Sequence, residues 1–185
     1  MKINFNTMSK NEIIDWVIRK FEEITPLEPD QRAKKTIEIM NTLDDKLDPE
    51  IVEFVMQTRG LGCYEKHKQG MLGDVPHTVK NINDLVEYLD KRWKTFPDGI
   101  IDGLKRDGNV LTTRISKCPC EHVNQTKNLV PKSYCNCSAG FYKAMFKNFL
   151  GKTVKTEVTS SIVTGGDECE IKIILPEKIL EEFHK

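Results

Sequence analysis

Between the FPDG stretch (96–99) and Val110 the apolar residues of this chain change their spacing, and that change restricts its folds more than any other feature. Upstream they recur every three or four positions; downstream they alternate. A helix brings every third or fourth residue to one face and a strand every second, so the chain reads as helices followed by a sheet. In the helical part, SKNE (9–12) has the pattern of a capping box, and Ile13, Ile14, Val17, Ile18 and Phe21 follow on one face. TPLEPD (25–30) breaks that helix, and Ala33, Ile37, Met40 and Leu43 mark the next. DPEIVEFVMQTRG (48–60) begins with Asp48 as cap and Pro49 at the first helical position, and is expected to end at Gly60. A short fourth helix is expected over GCYEKHKQGM (62–71) and a fifth over NINDLVEYLDKRW (81–93).

Downstream, VLTTRIS (110–116), TVKTEVTSSIV (153–163) and CEIKIIL (169–175) have the β-branched alternation of strands. GGDE (165–168) supplies a turn between the last two, which predicts a hairpin. Between the first strand and this hairpin, Ser138 is placed to cap a helix carrying Phe141, Tyr142, Met145, Phe146 and Phe149 and stopped at Gly151, and Pro176 opens a final short helix. The fold class is α+β, with N-terminal helices packed with a C-terminal antiparallel sheet. A mainly helical part over 1–99 and a Cys-rich α+β part over 100–185 are expected to share one compact domain, since 185 residues suffice to bury a core.

Charge narrows the partners. Lys plus Arg number 28 and Asp plus Glu 28, a net charge of zero, which removes the basic footprint of a nucleic-acid binder or a polybasic membrane protein. No apolar run approaches the ~20 residues that span a bilayer, and the start lacks a charged-then-apolar signal layout. The expectation is a cytoplasmic protein with a small-molecule ligand, neither nucleic acid nor membrane as partner, and homodimerisation left open. In a reducing compartment, spaced cysteines point to metal or redox chemistry rather than to structural disulfides.

Four of the six cysteines form two Cys-x-Cys pairs, Cys118 with Cys120 and Cys135 with Cys137. Four thiolates suit tetrahedral zinc, with sulfur at roughly 2.3 Å, and an iron–sulfur cluster accepts the same set. The same spacing also fits reactive thiols, or alternate strand residues facing a core. Cys63 and His67 lie four apart, on one helical face, and His122 stands close to Cys120; each is an additional candidate ligand or reactive group. Cys169 opens a strand on its apolar face, where core packing competes with a ligand or redox role. Tyr142, Met145 and Phe146 are candidate walls of a ligand pocket, against the plainer reading as core. No phosphate-binding glycine loop, dinucleotide fingerprint, zinc-protease motif or nucleophile elbow is present.

The segments CPCEHV (118–123) and YCNCSAGFYKAMFKNFLGKTVKTEVTSSIVTGGDECEIKII (134–174) resemble a family of Cys-rich bacterial and archaeal proteins. Those proteins are related to L-2-amino-thiazoline-4-carboxylic acid hydrolase-like proteins and to 4-vinyl reductase domains; RGLGC (59–63) echoes another of their cysteine-bearing segments. The resemblance implies an α+β fold around a ligand cavity, shared with a subunit of a vesicle-tethering complex, and a structural zinc held by cysteines. Carried over, Cys118, Cys120, Cys135 and Cys137 match the paired positions and Cys169 the strand cysteine. The expected function is a metal-stabilised domain that binds a small, partly apolar molecule. The alternatives are a thiol- or metal-dependent hydrolase of a small sulfur or nitrogen compound, and a protein-interaction module.

Overall fold

The capping box at Ser9 forms: its hydroxyl accepts from the Glu12 amide at 3.4 Å, and the Glu12 carboxylate accepts from the Ser9 amide at 2.7 Å. Two orphan donors at the start of α1 (Lys10–Ile24) are thereby satisfied. The computed structural model describes residues 4–126 and 128–177. In it α2 (Pro29–Lys46) and α3 (Pro49–Leu72) each begin with proline in the first turn, where its missing amide costs nothing. Asn81 caps α4 (Ile82–Lys94) by accepting from the amides of Asn83 and Asp84. The last described helix, α5 (Asn136–Leu150), stops at Gly151, whose φ of 65° is the left-handed conformation that favours glycine.

Two helices differ from expectation, for one reason. α3 runs straight through Gly60 and absorbs the short helix expected after it. Gly60 is there for packing: a Cβ on it would lie 2.1 Å from the carbonyl oxygen of Cys137, and one on Gly140 would lie 2.1 Å from that of Gln57. The two glycines let the backbones of α3 and α5 touch, an approach any side chain would prevent. α5 in turn starts at Asn136 rather than after Ser138, which takes Cys137 into its first turn.

The sheet is wholly antiparallel, in the order β1-β2-β4-β3, with β1 (Lys105–Asp107), β2 (Val110–Ile115), β3 (Lys155–Ser160) and β4 (Cys169–Ile174). Three-residue β1 is too short to have shown alternation in the sequence. β3 and β4 make the expected hairpin pair, with Thr156 opposite Ile173 and a bulge between Val158 and Ser160. Inward-facing Leu111, Ile171 and Ile173 pack beneath α4 and α5, while the other face presents Arg114 ion-paired with Glu168 at 3.1 Å and Glu170 at 2.9 Å.

The interior has two parts. One joins α1, α2 and α3 to the cysteine loop through Val17, Met40, Leu43 and Met56; the other joins α4, α5 and the sheet through Leu89, Trp93, Leu111 and Ile173. Each such side chain fully buried stabilises the fold by about 1.5–3 kcal/mol. The α3–α5 contact lies along the seam. Tyr142, Met145 and Phe146 belong to the second core, at 3%, 1% and 0% exposure. The helix expected from Pro176, and His184, lie outside the described residues. Among the described residues no helix is long and apolar enough to cross a membrane.

Candidate functional site

Residues two apart on a helix point about 200° away from each other. Cys135, at the cap of α5, and Cys137, in its first turn, therefore diverge. Cys137 turns toward α3, where Arg59 Nη1 donates to its sulfur at 3.0 Å and the Cys63 thiol hydrogen-bonds to it. Cys135 turns toward the sheet: its Sγ lies 3.1 Å from the Ser161 hydroxyl, which is also 4.0 Å from Cys169 Sγ. Cys169 additionally accepts from the Ile162 amide at 3.5 Å. In the loop after β2, the amide and thiol of Cys120 both hydrogen-bond to Cys118. Among the described residues, the four cysteines expected to form a cage are not disposed around one point. All six are free thiols. Four thiols suit a soft metal by donor type, yet among the described residues no three His, Cys, Asp or Glu side chains are disposed to hold a metal ion.

Arg59 is the centre of this arrangement. Its guanidinium lies 4.0 Å over the ring of Phe21 from α1 and 5.8 Å from the ring of Tyr134, within cation–π range of both. Among the described residues no ion pair joins it to a carboxylate. Arg59 is half-buried as a residue, and its guanidinium end is the more enclosed part. His122 closes one side, its ring 5.5 Å from Phe21 and its Nε2 3.3 Å from the Thr25 hydroxyl. Tyr134 is 1% exposed, and among the described residues its hydroxyl has no hydrogen-bond partner. Cys63 and Cys120 are half-buried, and their neighbours Lys66 and Glu121 form a 3.9 Å ion pair at the surface.

The electrostatics follow from these contacts. The Cys63 hydrogen bond, aided by the charge of Arg59 and opposed by burial, brings the Cys137 thiol down to about 6. Cys63, on the other side of that bond, is pushed up, first by the bond and then by burial. Cys118 falls to about 7 because Cys120 donates to it from thiol and amide, and Cys120 rises correspondingly. Burial lowers His122 to about 4 and raises Cys135 to about 11. The site therefore favours the thiolate form of Cys137 against the Arg59 guanidinium and the neutral form of the nearby His122 imidazole. An enclosed thiolate beside a fixed cation is the chemistry of a reactive or ligand-holding cysteine.

The other candidates fall elsewhere. His67 is exposed, one turn beyond Cys63, and does not join the cluster. A cleft of about 280 Å³ is lined by Lys132, Cys135, Ser160, Ser161 and Thr164 among others, and a second of about 260 Å³ by Asp44, Val52 and Glu53; they share Ser133 and Asn136. Neither is walled by Tyr142, Met145 or Phe146. Sequence reasoning missed Arg59, Phe21 and Tyr134. RGLGC carried one signal, since an arginine four residues before a cysteine shares its helical face; the aromatic pair carried none.

Against solved structures, the chain is 16% identical to a trafficking protein particle complex subunit 3 from Naegleria fowleri covalently bound to palmitic acid, covering 80% of this chain and 97% of that one, with a TM-score of 0.53. The similarity is one of fold. Weaker likenesses are to the phenol-responsive sensory domain of the transcription activator PoxR with phenol (14% identity, 85% and 81% covered, TM-score 0.42) and to the SO2144 H-NOX domain from Shewanella oneidensis in the Fe(II)CO ligation state (16%, 90% and 96%, 0.43). A comparison with curated proteins finds no match. A family model matches residues 4–180, and the chain belongs to that family, described as a family of unknown function (DUF6144).

Proposed function

We propose that this chain is a small-molecule-binding domain whose ligand docks on Arg59 and Tyr134, entering past Cys63 and Cys120. The observation that carries this reading is the buried Tyr134 hydroxyl, which has no partner among the described residues, near a guanidinium that no described carboxylate pairs. Leaving such a hydroxyl unpaired costs about 1–3 kcal/mol, and a guanidinium has five N–H donors, of which one meets Cys137. A ligand bringing a carboxylate would pair both groups, and the rings of Phe21 and Tyr134 would receive an apolar body. The ligand class is therefore a small carboxylic acid with an apolar portion. The trafficking subunit's covalently bound palmitic acid supports a fold able to hold an apolar chain.

Zinc takes no part in this reading: among the described residues no three His, Cys, Asp or Glu side chains are disposed to hold a metal ion. A thermal-shift screen of small aromatic and aliphatic carboxylates against their neutral amides tests the proposal. A ligand at a hundred times its Kd stabilises by about 2.7 kcal/mol. The acids should raise the melting temperature, the amides should not, and Arg59→Met should abolish the shift relative to its own baseline. Mass spectrometry should recover the acid unchanged. Equal shifts with acids and amides, turnover of a hit, or one zinc per chain by elemental analysis would each overturn it.

A further inference from the structure

Cys63 follows Gly60 by three residues on α3, and Cys137 precedes Gly140 by three on α5. Those two glycines are the points at which the helix backbones touch. The space a Cβ of Gly60 would need is taken by the carbonyl oxygen of Cys137 at 2.1 Å and the amide nitrogen of Phe141 at 2.8 Å. Cys137 thus sits at the closest approach of the two helices, and Cys63 lies one turn along α3 from both Gly60 and Arg59, whose Nη1 donates to the Cys137 sulfur at 3.0 Å; Cys63 packs against the same core cluster as Cys137. A disulfide requires Cα atoms about 4.4–6.8 Å apart with converging side chains, which helices in backbone contact supply and ordinary helix packing does not. The other neighbouring thiols are placed less well. Ser161 holds Cys135 and Cys169 on either side of its hydroxyl, and a bond between Cys118 and Cys120 would close a small strained ring.

The geometry points to a redox-active dithiol: Cys63 and Cys137 are oxidised by a small peroxide to a disulfide that joins α3 to α5. This goes beyond ligand binding and does not depend on it. The Cys137 thiolate, held by Arg59 Nη1 at 3.0 Å, attacks one peroxide oxygen. The O–O bond breaks, Cys137 becomes a sulfenic acid, and the departing hydroxide takes a proton to leave as water. Cys63 then attacks the sulfenic sulfur, the S–O bond breaks, and the second hydroxide leaves as water with the Cys63 proton. Two thiols and one hydrogen peroxide give one disulfide and two waters. Cys137 is 4% exposed while Cys63 is partly open, so a small oxidant reaches the thiolate and a bulky disulfide reagent does not.

The full-length reduced protein treated with hydrogen peroxide, alkylated, digested and analysed by mass spectrometry should show a Cys63–Cys137 cross-linked peptide and four alkylated cysteines out of six. Oxidation should raise the melting temperature by roughly 5–15 °C, because the cross-link constrains the unfolded chain. With Cys63→Ser, dimedone should capture Cys137 as its sulfenic acid. Six unoxidised thiols under peroxide that oxidises a free control thiol, or a dominant Cys118–Cys120 or Cys135–Cys169 pairing in the wild-type protein, would overturn the assignment whether or not the serine variant folds.

Discussion

Tyr134 shows how one side chain sets stability against function. Its hydroxyl is buried and has no partner among the described residues, so Tyr134→Phe removes a desolvated polar group while keeping the ring against Phe21, 6.2 Å away. The variant should be more stable than the parent by about 1 kcal/mol in urea denaturation, yet should bind the carboxylate ligand more weakly. Lower stability would show that the hydroxyl has a partner. His122 gives a pH dependence with a definite sign. Burial, with Arg59 and Arg32 adding to it and Glu121 and the Phe21 backbone opposing, holds the imidazole at about 4 against an ordinary 6.5. Above pH 6.5 the ring is neutral in both states and has no effect. As pH falls from 6.5 toward 4 the unfolded chain takes up the proton first, so stability declines through that window. His122→Gln should flatten this part of the curve of urea midpoint against pH, and an unchanged slope would assign the decline to other groups.

At the scale of elements, the α3–α5 crossing positions the thiol site, and its glycines are not interchangeable with others in the same helix. Gly60→Ala and Gly140→Ala each place a methyl 2.1 Å from a backbone carbonyl oxygen, which cannot rotate away. Each should cost about 1–3 kcal/mol or more and spread the helices, with Cys137 leaving Arg59 as a consequence. Gly62→Ala is the control: nothing lies within 4 Å of its Cβ position, so the helix should gain about 0.5–1 kcal/mol. Denaturation midpoints of the three variants decide the point, and a loss at Gly62 equal to that at Gly60 would reduce the contact to ordinary helix propensity. The sequence reads Gly60 as a terminator because glycine commonly ends helices. Only the partner helix shows that its missing side chain is needed sideways.

The molecule as a whole has two interior clusters and two tryptophans, Trp16 in the first cluster and Trp93 in the second. If the α3–α5 seam couples them, Trp16→Phe and Trp93→Phe, each leaving one reporter, should unfold at midpoints that agree with their own circular-dichroism transitions. Separated fluorescence and circular-dichroism midpoints within either variant would divide the chain into two folding units. At this scale the local chemistry of the sequence was sufficient for much. Apolar spacing and caps placed the main helices, alternation placed β2, β3 and β4, and together they determined an α+β architecture with an antiparallel sheet. The cysteines were legible as a site but not in their grouping. Cys135 and Cys137 read as one of two short chelating pairs that an intervening loop would bring together, whereas the chain is helical there and the two side chains leave the helix in different directions. That difference turns on where α5 begins, which its packing against α3 decides. Arg59 and Tyr134 lie 75 positions apart in sequence (134 less 59), and no local pattern relates them. Their meeting, and that of Cys63 with Cys137, was decided by two helices approaching at Gly60 and Gly140, a contact between distant segments that hydrophobic periodicity does not encode.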